Sequence, residues 1–128
     1  MLDFINDIDS LEKEANGISD FMNITCSEDP NEAVERGNQI QVYIARTGKM
    51  LADAKYHYDR AILQNTISSI KEFPEMSPMV RKQYVEASCF RKDFLVTWID
   101  RLNRASTHQS EWLRTVISKA KAEFMQTR

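Results

Sequence analysis

The sequence predicts an all-α protein: an elongated antiparallel bundle of three long helices with coiled-coil-like packing, the third either continuous or bent into two. Three observations predict it. Residues 79–128 contain neither Gly nor Pro. Within that stretch Leu95, Trp98, Leu102, Ala105, Gln109, Trp112, Val116 and Lys119 recur at alternating steps of three and four, the seam of one helix packed on another. Gly and Pro number three each in 128 residues, which disfavours a chain built from strands and tight turns.

The first helix is expected over residues 2–22, with Phe4, Ile8, Leu11, Ala15, Ile18 and Met22 on its apolar face. Gly17 weakens this helix by about 1 kcal/mol relative to Ala without ending it. Residues 23–29 break the pattern and read as a loop. The second helix, residues 30–72, opens on Asp29-Pro30-Asn31-Glu32. Asp29 accepts the free amide of Glu32, and Pro30 needs no donor at the first helical position. Its apolar face runs through Val34, Gln41, Ile44, Gly48, Leu51, Lys55, Tyr58 and Ile62, toward Ile67 and Ile70. Gly48, Ala52 and Ala54 are small enough to admit a neighbouring helix closely.

Pro74 biases Phe73 away from helical angles, and Ser77-Pro78 repeats the cap-then-proline start for a third helix over residues 78–126. Its early stripe, Val80, Tyr84, Ala87 and Arg91, joins the later seam imperfectly, which accommodates a bend or short break at residues 88–92. At about 1.5 Å per residue the second and third helices each exceed roughly 60 Å if unbroken, long for a compact monomer. Either a helix is broken or a long hairpin buries its end against another copy, so a homo-oligomer is expected. Short connections make neighbours antiparallel. The first helix is then expected beside the start of the second and the end of the third. This leaves a two-helix tip around residues 65–90 whose Phe73, Met76, Met79, Tyr84, Cys89 and Phe90 need cover, as at a partner surface.

The length fits one domain, residues 1–128. The formal net charge of −2 is unevenly spread. Residues 1–35 carry ten carboxylates against Lys13 alone, a net of −9, while residues 79–128 carry ten cations against five carboxylates, a net of +5. The expected topology places the acidic first helix near Arg114, Lys119 and Lys121, so that the two halves neutralise each other. No run of eighteen apolar residues is present, which argues against a membrane span. The opening residues lack the basic-then-apolar order of a secretory leader. Cys26 and Cys89 are too few for a disulfide framework and too far apart for a CxxC site, so a reduced cytoplasm is expected.

Chemically capable side chains concentrate in residues 103–112. On a helix Arg101, Arg104, His108 and Glu111 share one face, and these four form the candidate interaction surface. Asp53 and His57, at i and i+4, form a second set on the preceding helix. A metal held by His57, His108, Asp53 and Glu111 is the sharpest alternative, since bundle metal sites are built from facing helices. The usual Glu-x-x-His order is reversed here, in His108-x-x-Glu111, and no metal or other cofactor is expected. Glu32-x-x-Glu35 and Glu72-x-x-Glu75 match only half of the paired acidic motif of all-helical nucleotide pyrophosphatases, and Pro74 interrupts the second. Gly-rich phosphate loops and Gly-x-Ser-x-Gly are missing, and an enzyme is not expected. Nucleic-acid binding is the other alternative, through Arg91, Lys92 and Arg114 with Arg101 and Arg104 on phosphates and Tyr56 and Tyr58 for stacking. The sequence pI of about 5.7 counts against it.

Three phrases carry a resemblance: Leu51-Ala52-Asp53-Ala54-Lys55-Tyr56-His57, Met76-Ser77-Pro78-Met79-Val80, and Asn103-Arg104 through Thr107-His108-Gln109 to Trp112-Leu113-Arg114. They resemble small uncharacterised all-helical proteins of bacterial phages and prophages, often encoded near recombination or replication genes. The resemblance implies a bacterial cytoplasm and an accessory role in phage or mobile-element DNA metabolism. The expected function is therefore that of a non-enzymatic helical interaction or adaptor protein, its protein partner unidentified.

Overall fold

The computed structural model describes residues 4–127. Its helices are α1 (Ile8–Met22), α2 (Pro30–Glu72), α3 (Pro78–Ser88) and α4 (Phe90–Gln126), and no strand occurs among the described residues. The all-α expectation holds, but the count differs: four helices replace three. The first is short and begins only at Ile8, where Asp7 caps it by accepting the Ser10 amide at 2.7 Å. Leu2 and Asp3, placed in that helix by the sequence, lie outside the described residues. Asp29 and Ser77 cap α2 and α3, accepting from Glu32 and Val80 at 3.1 and 3.3 Å, each worth about 1 kcal/mol.

The break between α3 and α4 falls on Cys89. Its amide bonds to the Glu86 carbonyl, three residues back, which tightens the last turn. Ser88 donates its hydroxyl to the Val85 carbonyl at 2.6 Å, and Asn65 of α2 donates to Ser88 at 2.8 Å and to the Cys89 sulfur at 3.3 Å. Such hydroxyl back-bonding bends helices without Pro or Gly. The third helix expected from sequence is thus divided in two.

Chains α3 and α4 return along α2, as cross-helix hydrogen bonds show. Arg81 meets Ser69, Ser88 meets Asn65, Asn103 meets Thr47, and Ser110 meets Gln41. Helix α1 lies in the groove between α2 and α4. Leu11, Ala15 and Ile18 pack there with Met50, Ala54, Leu95, Ile99 and Leu102, forming the main core. A smaller core of Ala33, Ile40 and Leu113 lies under Phe21, Ile44 and Val116.

Two sequence expectations are corrected. The buried line of α4 is Leu95, Ile99, Leu102, Ser106, Ser110 and Leu113, displaced from the expected seam: Ala105 and Trp112 are exposed. On α2 the buried line is Ala33, Ile40, Thr47, Met50, Ala54, Ala61 and Ser69, whereas Val34, Gly48 and Lys55 are exposed. Along the α2–α4 contact the small and hydroxyl side chains of Thr47, Ser106 and Ser110 alternate with Ile40, Met50, Ile99 and Leu113. Helix α1 runs along α2 from its start, where Phe21 packs against Ala33 and Ile40, to its middle, but lies on the first half of α4 rather than on its end. Its carboxylates therefore meet Arg46 and Arg91 rather than Arg114, Lys119 and Lys121.

Candidate functional site

Helix α1 is held by charge on both flanks. Arg46 of α2 donates to both oxygens of Glu14 at 2.7 and 2.8 Å. Arg91 of α4 donates to Glu12 at 2.9 Å and to Asp9 at 3.3 Å. The hydrogen bond to Glu12 and the neighbouring negative charges raise the Arg91 pKa further above its ordinary value, so the clamp stays cationic at any physiological pH. At the far end of α1, Arg36 lies over the Phe21 ring at 4.6 Å and donates to Gln109 at 2.9 Å. Gln109 in turn donates to the Met22 carbonyl at 3.3 Å. The polar residue in the α4 pattern is therefore a tie between α1, α2 and α4.

The segment before α1 is held by its backbone. Lys49, Asp53 and His57 succeed one another at i, i+4 and i+8 on α2. Lys49 donates to the Phe4 carbonyl at 2.8 Å, and Asp53 accepts the Asn6 amide at 3.1 Å. His57 Nε2 lies 2.7 Å from the Asn6 carbonyl, and because a carbonyl only accepts, Nε2 carries the proton. Asp53 is buried, and Lys49 binds both its oxygens at 2.6 Å. Asp53 and His57 thus both engage the Asn6 peptide groups, and Lys49 neutralises the Asp53 carboxylate. His108 and Glu111 stand about fifteen residues further along the α2–α4 pair, on the order of 22 Å away. The four residues of the metal alternative are not brought together, and no group of three potential ligands occurs among the described residues.

Arg101, Arg104, His108 and Glu111 do share the outward face of α4, and all four are exposed. Arg104 pairs with Asp100 at 3.2 Å, and His108 Nδ1 lies 3.8 Å from Glu111. Arg101 enters no ion pair or hydrogen bond among the described residues. The nucleic-acid candidates diverge. Arg91 is engaged with α1, and Lys92 and Arg114 stand roughly 33 Å apart along the axis of α4. Tyr58 is half-buried; burial, then the charges of Asp93 and Glu86, raise its pKa above the ordinary value.

Beyond α1 the molecule is a two-helix hairpin, the tip that the sequence expects to need cover: Phe73, Met79, Tyr84 and Phe90 are exposed there, whereas Cys89 is buried. Phe90 and Phe94 are 73% and 66% exposed, and Leu63 is 61% exposed. Ile67, Ile70, Val80 and Tyr84 are exposed as well. Between α2 and α3 lies an open groove of about 430 Å³ floored by Ile62 and Val85. Its lining groups Arg81 and Thr66 are already bonded within the chain, Arg81 to Ser69, Phe73 and Met76 and Thr66 to Ile62. Steps of four and three from Phe90 through Phe94, Thr97 and Arg101 would have revealed an exposed stripe. The sequence marks Phe90 as part of the uncovered tip but does not extend that surface along α4 to Phe94.

No protein-family profile matches the chain, and no curated protein or solved structure is significantly similar to it. No helix among the described residues is long and apolar enough to cross a membrane.

Proposed function

We propose that this protein is a non-enzymatic helical interaction protein that works through surfaces left uncovered by α1. The observation that carries the reading is the apolar exposure of the distal hairpin and the adjoining start of α4, above all Phe90 and Phe94. Large apolar side chains left exposed in this number on one part of a molecule mark contact with another macromolecule. The polar groups with chemical capacity support the same reading: Lys49, Asp53, His57, Arg46 and Arg91 all serve to hold the chain's own first helix. On this reading the protein acts as a homo-oligomer, and the resemblance of its sequence phrases supports an accessory role in phage or mobile-element DNA metabolism.

Light scattering of the purified protein, alone and then with single-stranded and duplex DNA at low and moderate salt, tests the reading. An oligomer indifferent to DNA is the expected result. A complex with DNA that weakens steeply with salt would replace it with direct nucleic-acid binding.

A further inference from the structure

The outward face of α4 carries an exposed stripe with the same alternation of four and three as a packing seam: Phe90, Phe94, Thr97, Arg101, Arg104 and His108. It lies on the side of α4 away from Leu95, Ile99, Leu102 and Ser106, which face the core. The stripe is polarised, aromatic in its first half and cationic in its second. Two charged groups beside it are unpaired: the side chains of Asp93, whose charge also reaches Tyr58, and of Arg101 enter no ion pair or hydrogen bond among the described residues.

We propose that this stripe binds the same stripe of a second copy, with the two α4 helices antiparallel about a two-fold axis at Thr97. The proposal rests on reading the protein as an interaction module and names both the face and the occupant. A two-fold at Thr97 sets each residue opposite one equally far on its other side. Asp93 then meets Arg101 of the second copy, and Phe90 meets Arg104, each contact occurring twice. The first is an ion pair made from the two unpaired charges. The second places a guanidinium over an exposed aromatic ring, a favourable cation–π arrangement. A parallel pairing would set Arg101 and Arg104 against their own copies, like charge on like charge, and is disfavoured. Isologous contact of this kind closes at two subunits.

The area fits a weak, transient dimer. An aromatic side chain buries about 150–250 Å² when covered, so Phe90 and Phe94 at their exposures offer roughly 250 Å² per copy. With the aliphatic stems of Arg101 and Arg104, the two copies together bury roughly 700 Å², below the ~1,000 Å² of stable specific interfaces. The dimer is therefore expected to be concentration-dependent.

The test uses the full chain carrying Cys26→Ser, with Cys89 left in place because it is buried. Single cysteines are introduced at three exposed positions, Thr97→Cys, Glu111→Cys and Ile67→Cys, and each variant is treated with a mild oxidant. The expected result before oxidation is a mass by light scattering that rises toward twice 14.9 kDa with concentration. Covalent dimer should then form efficiently from Thr97→Cys, and far less from the other two. Asp93→Arg and Arg101→Asp should each weaken association several-fold, and the double variant should recover most of the loss. A monomer at all attainable concentrations overturns the proposal. A dimer that cross-links through residue 67 or 111 instead of 97 also overturns it, while leaving the interaction reading intact. That reading falls separately, to salt-sensitive DNA binding.

Discussion

The middle of the molecule and its distal hairpin are built from the same two long helical paths, yet they solve burial differently. In the middle, α1 closes the groove between α2 and α4, and Leu11, Ile18, Met50, Leu95 and Ile99 all become nearly inaccessible. In the hairpin no third helix is present, and the buried residues are Ala61, Ser69, Val85 and Cys89, mostly small. The large apolar residues there, Leu63, Ile67, Phe90 and Phe94, face outward. A two-helix layer has only a narrow line of contact, so side chains away from that line stay wet unless another molecule covers them. The closed core lies in the middle, and the surface proposed for recognition lies on the hairpin and the outer face of α4.

The contrast breaks most visibly at Leu11. Leu11→Ala removes a buried side chain from the three-helix core and should cost about 2–5 kcal/mol in urea unfolding; a cost below 1 kcal/mol would mean that α1 is not integral to the fold. Asp53→Ala should cost about 1–3 kcal/mol, because the Asn6 amide and Lys49 lose their partner. The same experiment should show residues 4–7 gaining hydrogen exchange. Gly48→Ala should stabilise α2 by roughly 0.5–1 kcal/mol, since an added methyl meets nothing within 4 Å. Phe94→Ser, measured where the protein is dilute and monomeric, should change stability by no more than about 0.5 kcal/mol, although the residue is a phenylalanine.

The smallest effect concerns the start of α1. The Ser10 backbone amide, and then its side chain, lower the Asp7 pKa below 3.8. A depressed carboxylate contributes stability that is present above the unfolded value near 3.8 and is lost as pH falls through the lower folded value. An NMR titration should place the Asp7 midpoint below 3.8, and Ser10→Pro, which removes the donating amide, should return it toward that value.

What the sequence disclosed and what it concealed follow the same division. The breaks at residues 23–29 and 73–77 and the starts at Pro30 and Pro78 were legible because capping and proline chemistry are local. The apolar residues of α1, Leu11, Ala15 and Ile18, were legible because one amphipathic face meets one groove. The faces of α2 and α4 were misjudged because their contact line uses Thr47, Ala61, Ser69, Ser106 and Ser110, whose burial hydropathy does not announce. Trp98, Trp112, Ile67 and Ile70 drew the seam toward themselves by size alone. The position of α1 depends on Arg46, Arg91 and Gln109, whose partners lie far away in sequence and leave no periodic trace. Asp53 and His57 stood out as a pair, but the group they bind is a peptide unit forty-seven or more residues away.

Amide chemical shifts recorded as protein concentration is raised test the central claim, that the uncovered face of α4 is a recognition surface while the middle is a closed core. The account predicts progressive shifts at Phe90, Phe94, Thr97, Arg101 and Arg104, with Leu11, Ala15 and Ile18 unchanged. Shifts that leave residues 90–104 untouched, or that centre on α1 instead, would contradict it.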